Sequence, residues 1–338
     1  MKKVKVTPVP LYKNISGRSL FKSNDPAFRE YRRRWREQPV NFEAGDFPLF
    51  IDIEVTNACN LRCSFCATTY LDASKRKQFI PAKFVRKILD EGKHNGLYGV
   101  KFNDRGEPLL HPELTQFVRY AKKCGLIDVY FNTNGMLLSE AKAKGLINSG
   151  LDRISISIEG FRKDFYERYR IKAKFETLLR NVRNLWALRQ KRGLTKPLIR
   201  IQSVLLPEIS KDMDGYLSGY KKFWGPYADE ISVIEYKKEI SLQQHAKPLI
   251  YPWACHQLWQ RVVVWCDGTI LPCNEDYRGL LDLGNISTTS IKEAWNSKAL
   301  IELRAVHMAG KSHTITACRG CYLRETQIDK LKKLDKER

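Results

Sequence analysis

Three cysteines in the order Cys59-x3-Cys63-x2-Cys66 constrain this chain more than any other feature. They follow an apolar run with period-two character: Leu49, Phe50, Ile51, Ile53 and Val55. That run predicts a strand, with the cysteines in the loop at its C-terminal end. Three thiolates so close together suit a soft metal or an iron–sulfur cluster. Three is one short of the four that close a tetrahedral site, and an open position is what a catalytic site needs. Zinc would require a fourth ligand nearby, yet neither Cys nor His follows Cys66 before His94.

The rest of the chain is consistent with a folded protein. It has 338 residues and 43 % hydrophobic content, enough for one large core or two domains. No run of eighteen apolar residues occurs, so no membrane span is expected. The start, Met1-Lys2-Lys3-Val4-Lys5, lacks the apolar core of a secretory signal. Of nine cysteines, six or seven fall in metal-ligand spacings. Such a set requires a reducing compartment, so a cytoplasmic protein is expected. The formal charge of +22 favours anionic partners. Because the basic residues are spread along the chain without an RNA-binding motif, nucleic acid is not the favoured one.

Taken in order, residues 1–46 form a basic N-terminal extension. Its sharpest stretch runs from Phe28 to Arg36, a short helix whose arginines either meet an anionic group or headgroups, or lie in water. Residues 47–235 repeat a strand-then-helix pattern. Strands are expected near 49–55, 99–102, 128–132, 153–158, 198–204 and 230–234. Helices are expected near 81–92, 112–124, 139–149, 171–192 and 210–224. Parallel strands with helical crossovers place an active site at the strands' C-terminal ends. Residues 236–250, with Lys237, Lys238, His245 and Lys247, read as a linker or lid. Residues 251–325 form a second cysteine region. A hairpin around Asp267-Gly268 joins strands at 261–265 and 269–271, and helices follow near 291–295 and 297–308. Residues 326–338 are a C-terminal tail with a polar helix.

The cysteine triad, with Phe65 before its third member and Val55-Thr56-Asn57 leading in, resembles the radical S-adenosylmethionine (radical SAM) family. The resemblance implies a partial (β/α)6 barrel. It implies that Cys59, Cys63 and Cys66 ligate three irons of a [4Fe-4S] cluster, while SAM chelates the fourth. Reduction, by a flavodoxin- or ferredoxin-like donor, then cleaves SAM to a 5'-deoxyadenosyl radical that takes a hydrogen from substrate. Gly106, Glu107 and Pro108 resemble the motif that receives the SAM amino group, although Arg105 stands where the family more often has glycine. Thr133 and Asn134 match the segment near the SAM ribose and methionine. Ser157, Arg170, Leu205 and Phe65 complete the cofactor-binding set that the resemblance suggests, and Arg200 and Gln202, which alternate on one face of their strand, are candidates for contact with cofactor or substrate.

Cys255, Cys273, Cys318 and Cys321 look like the auxiliary-cluster extension called SPASM or twitch. They imply a small C-terminal α+β iron–sulfur domain with one auxiliary [4Fe-4S] cluster held entirely by protein. Zinc in the same thiolates is the alternative. Cys266 is left over. Related carbohydrate epimerases use a free cysteine to return a hydrogen atom to the substrate radical, so Cys266 is a candidate catalytic residue. A buried structural cysteine or a replacement ligand are the competing readings. Cys124 reads as packing.

Four functions follow from this. The favoured one is oxidation or epimerisation of a small polar substrate: a sugar, an aminoglycoside or a phosphorylated metabolite. The extension is too short for the peptide-recognition domain that some relatives carry. The others are peptide modification or protein maturation, chemistry on a nucleic-acid or lipid-linked substrate, and non-enzymatic electron transfer.

Overall fold

The computed structural model describes residues 4–6, 12–17, 23–66, 68, 77–236 and 250–336. The linker or lid expected at 236–250 falls almost wholly outside them. Strands β2 (Phe50–Ile53), β3 (Gly99–Lys101), β4 (Asp128–Thr133), β5 (Arg153–Ser157), β6 (Leu198–Leu205) and β7 (Glu230–Glu235) lie side by side in sequence order. All five neighbouring pairs are parallel. Between them run α2 (Ala82–His94), α3 (Leu114–Lys123), α4 (Glu140–Asn148), α5 (Lys163–Tyr169), α6 (Phe175–Lys191) and α7 (Met213–Trp224). The result is an open partial (β/α)6 barrel.

Helical spacing explains the outer layer. Leu114, Phe117, Val118 and Ala121 recur at three and four residues, forming the buried stripe of α3. Val85, Ile88, Leu89 and Gly92 do the same on α2. Both stripes share a core with Ile51, Ile53 and Val55. By alternation, Phe50, Asp52 and Glu54 therefore face the concave side.

That concave side is polar. Lys101 and Arg261 both reach Asp52 at 3.0 Å. Arg153 grips Asp128 with Nε and Nη2 at 2.7 and 2.8 Å. Arg200 Nε donates to Glu230 at 2.7 Å. Barrels of this kind commonly fill the interior with branched apolar layers; here ion pairs take that place.

Two segments outside the expected barrel complete the sheet. The first, β1 (Tyr12–Gly17), pairs antiparallel with β7. The second is the hairpin of β8 (Arg261–Val264) and β9 (Ile270–Leu271), in which β8 runs parallel to β2. The sheet thus has nine strands, ordered β1-β7-β6-β5-β4-β3-β2-β8-β9. The second cysteine region shares the barrel's core through Trp259, Val262, Trp295 and Leu300.

Helix α1 (Pro26–Asn41) starts at Asp25, whose carboxylate accepts from Ala27 N at 2.8 Å, with Pro26 in the first turn. It closes the N-terminal end of the barrel. Tyr31 stacks on Tyr98 with centroids 5.2 Å apart, and Trp35 meets Phe50 edge-on. Two of its arginines are engaged within the helix, Arg33 with Glu30 and Glu37 and Arg32 over the rings of Tyr31 and Trp35, and Arg34 reaches Tyr98.

Helices α8 (Ile291–Trp295), α9 (Lys298–Met308), α10 (Thr316–Arg319) and α11 (Tyr322–Lys336) finish the chain. The tail expected from 326 is helical, and it buries Ile328 and Leu331 against Trp253. Among the described residues no helix is long and apolar enough to cross a membrane.

Candidate active site and auxiliary cluster site

The triad loop leaves β2 at the C-terminal end of the barrel. Cys63 is buried, and Cys59 and Cys66 are half-buried. Donors point at the sulfurs. Leu61 N lies 3.4 Å from Cys59 Sγ, Asn134 Nδ2 lies 3.9 Å from the same atom, and Arg170 Nη1 lies 3.9 Å from Cys63 Sγ. Cys66 Sγ contacts Thr68 Oγ1 at 2.9 Å. Burial pushes the Cys63 thiol up to about 12, against the pull of Arg170. Burial raises Cys59 as well. Thiols in this setting become thiolates by binding metal.

The Gly106-Glu107-Pro108 turn braces this loop from below. Gly106 has φ +72°, and a Cβ there would strike the carbonyls of Thr56 and Ala58. Only glycine allows so close an approach. Glu107 N donates to Ala58 O at 2.8 Å. The Glu107 carboxylate accepts from Thr133 Oγ1 at 2.6 Å, Asn134 N at 2.7 Å and Leu109 N at 3.1 Å. Burial raises this carboxyl, and those bonds oppose the rise. Glu107, Thr133 and Asn134 thus form one connected unit against Cys59, while Pro108 opens a short turn beneath it.

Arg170 is buried and paired with Glu159 through Nε and Nη2. Its guanidinium also lies 5.7 Å from the Phe65 ring. Arg168, by contrast, pairs with Glu208 in solvent. Ser157 sits half-buried at the end of β5, in register with Gln202. Arg200 lies two positions deeper, held by Glu230. Leu205 ends β6, half-buried.

At the mouth, between β2, β3 and the hairpin, the fold gathers Arg105 and Cys266, which the sequence marks, with Glu54, Asp104 and Trp265, which it does not. Arg105 grips Glu54 with Nε and Nη2 at 2.6 and 2.8 Å. The same guanidinium covers Trp265 at 3.5 Å from the ring centroid, a contact worth on the order of 2 kcal/mol when desolvated. Trp265 Nε1 donates to Asp104 at 3.1 Å. Asp104 is pushed up to about 7 by burial and by Glu54 and Asp52, against Lys101 and Arg105. The available signal was a carboxylate at a strand's C-terminal end, two residues before Gly106. Cys266 alternates with Trp265 and falls in the main core, 2 % exposed, with Sγ 3.9 Å from Gln78 Oε1. Burial and Glu54 hold its thiol high, hence protonated.

The second set is gathered from three segments. Cys255, Cys273, Cys318 and Cys321 line one pocket, walled by Trp253, Leu258, Leu281 and Leu323. Burial pushes Cys255, Cys273 and Cys318 far above the ordinary thiol range, and the neighbouring cysteines add to it. The nine cysteines are all free of disulfides. Three thiols beside polar groups and four in a largely apolar enclosure fit, respectively, an open and a closed iron–sulfur cluster.

Comparison with known proteins agrees with this geometry. The Radical SAM superfamily profile matches residues 53–213, and the profile of the SPASM iron-sulfur cluster-binding domain matches 255–322. GTP 3',8-cyclase of Chlorobaculum tepidum is 32 % identical over 139 residues, 41 % of this chain and 41 % of its own length. That of Helicobacter pylori is 32 % identical over 120 residues, 34 % of this chain and 36 % of its own. The chain thus spans well under half the length of these curated relatives. Among solved structures, BtrN in complex with AdoMet and 2-DOIA has TM-score 0.55 at 17 % identity, covering 81 % of this chain and 92 % of BtrN. Streptococcus suis SuiB bound to precursor peptide SuiA has TM-score 0.60 at 15 % identity, covering 85 % and 74 %. Native anSMEcpe with bound AdoMet has TM-score 0.59 at 16 % identity, covering 81 % and 88 %. These structural likenesses speak to the fold.

Proposed function

The chain belongs to the radical SAM superfamily and carries a SPASM domain, hence a SAM-binding [4Fe-4S] cluster and an auxiliary cluster, and from that premise we propose that it dehydrogenates a small polar substrate bearing a hydroxyl group. The observation that carries the reading is the polar barrel mouth, with Asp104 accepting from Trp265. Bound in place, the cofactors supply a radical that takes a hydrogen atom and a sink for an electron.

The chain's own residues do the remaining work. Cys59, Cys63 and Cys66 hold the barrel cluster, and Cys255, Cys273, Cys318 and Cys321 hold the auxiliary one. Gly106, Glu107, Pro108, Thr133, Asn134, Ser157 and Arg170 frame the SAM pocket, with Phe65 and Leu205 as its apolar edges. Gln202 and Arg200 line the wall beneath it. A hydroxyl oxidised to a carbonyl sheds a hydrogen atom, an electron and a proton. Asp104 takes that proton; its raised carboxyl is matched to proton transfer near neutral pH. A sugar, an aminoglycoside or a phosphorylated metabolite fits a lumen of ion pairs and amides. The relatives named for GTP support a phosphorylated member of that class. Cys266 lies in the core beyond Trp265, which favours oxidation over epimerisation. A flavodoxin- or ferredoxin-like reductant and a cytoplasmic location suit free thiols and this chemistry.

The test uses anaerobically reconstituted protein, SAM, reductant and substrates deuterated at the carbinol carbon. Deuterium in 5'-deoxyadenosine, with a product lacking two hydrogens, is expected. A product at the same oxidation level in which that deuterium has been replaced by hydrogen would mean epimerisation. Deuterium transfer only from a labelled peptide would establish the peptide-modifying reading instead.

A further inference from the structure

His307, on α9, packs against the auxiliary cysteines, and nothing above uses it. Its ring is 1 % exposed. The backbone N–H of Cys255 donates to Nδ1 at 3.1 Å. Nδ1 therefore carries no proton, and the proton of the neutral ring sits on Nε2. Nε2 lies 3.6 Å from Cys318 Sγ. The imidazole thus has one donor, and a ligand sulfur stands in front of it. We propose that His307 is a positioning residue of the auxiliary site, its Nε2–H donating to the Cys318 thiolate and holding the cluster bound there at a raised reduction potential. This rests on the reading that the four cysteines carry an iron–sulfur cluster.

The sign follows from charge. Reduction adds an electron that the ligand sulfurs share, so an N–H aimed at sulfur stabilises the reduced form more. Arg324 lines the same pocket, fully buried, with Nε donating to Ser312 Oγ at 3.0 Å, and its charge acts in the same direction. Glu275, also in the lining, opposes both. At the barrel triad the comparable cation is Arg170, which Glu159 pairs directly.

The experiment uses the full-length enzyme with both clusters. The barrel cluster is identified by its spectral response to added SAM. His307→Leu removes the donor. It should shift the reduction equilibrium of the auxiliary cluster about tenfold toward the oxidised form, ~59 mV lower for a one-electron couple. The barrel cluster's potential should not move. His307→Gln offers an acceptor to Cys255 N–H and a donor to Cys318, and should restore most of the shift. An intact auxiliary cluster with unmoved potential in His307→Leu overturns the proposal, as does failure of Gln to restore it. Pulsed EPR on the unaltered protein, labelled with 15N-histidine and reduced, covers the case where Leu is not tolerated. A weak nitrogen coupling with an exchangeable deuteron is expected. No coupling refutes the hydrogen bond, and a coupling of bonded strength makes His307 a ligand instead. Iron analysis and spectra lacking any second cluster would sink the underlying reading and the proposal with it, a result distinct from the others.

Discussion

Cys59, Cys63 and Cys66 come from one short loop, whereas Cys255, Cys273, Cys318 and Cys321 are assembled from three separated segments. The first set is braced by polar groups: Asn134, Arg170 and the Glu107 unit. The second is walled mainly by Trp253, Leu258, Leu281 and Leu323, with His307, Arg324 and Glu275 as the charged or polar groups set among them. The difference teaches a division of labour. A local array can leave one iron open because its neighbours on the chain need not encircle it, and the polar brace then faces a charged cofactor. A closed set needs the whole tertiary structure to enclose it, and enclosure suits electron transfer rather than bond breaking.

The comparison can be broken most directly at the triad. Cys63→Ala should abolish 5'-deoxyadenosine formation while the auxiliary cluster's spectrum persists, as anaerobic EPR and product chromatography would show. Loss of both signals would mean that the sites fold as one unit. Cys318→Ala should give the complementary result: SAM cleavage continues, but product falls and the ratio of 5'-deoxyadenosine to product climbs. Should cleavage stop as well, the auxiliary site has a role beyond accepting electrons.

Asp104→Asn sharpens the division within the barrel mouth. Product formation should fall ~10²-fold or more, with SAM cleavage retained. The raised carboxyl sets the sign of the pH dependence. Below about 7 the group is protonated and cannot accept, so the wild-type rate climbs as pH rises through that value. That limb should be missing from the variant's profile. The smallest effect belongs to Cys266→Ala: about 1 kcal/mol of stability by denaturant titration, with the product unchanged. Loss of product with SAM cleavage intact would instead make Cys266 the hydrogen donor.

The barrel was legible because its elements repeat a simple period. The strand expected at 128–132 is Asp128–Thr133, and the helix expected at 139–149 is Glu140–Asn148. Along β2 and the residue after it, Asp52 and Glu54 alternate with Ile51 and Ile53, and such buried charges mark a polar lumen. Strand β1 gave little warning. It lies in a basic segment, and its partner β7 is remote in sequence. The parallel pairing of β8 with β2 was hidden for the same reason, since a hairpin pattern reports its own turn and not the strand it joins.

Residue types and spacings alone determined the chemistry: three thiols in C-x3-C-x2-C, a second set of four, and glycine before Glu107 where backbone must approach backbone. Tertiary structure decided what each remaining polar group does. It paired Arg105 with Glu54 and Trp265, sent Arg170 inward and Arg168 outward, raised Asp104, and put His307 against Cys318. The physical reason is range. A ligand loop or a strand period is written over a few neighbouring residues, whereas burial and charge pairing depend on which distant residues arrive alongside.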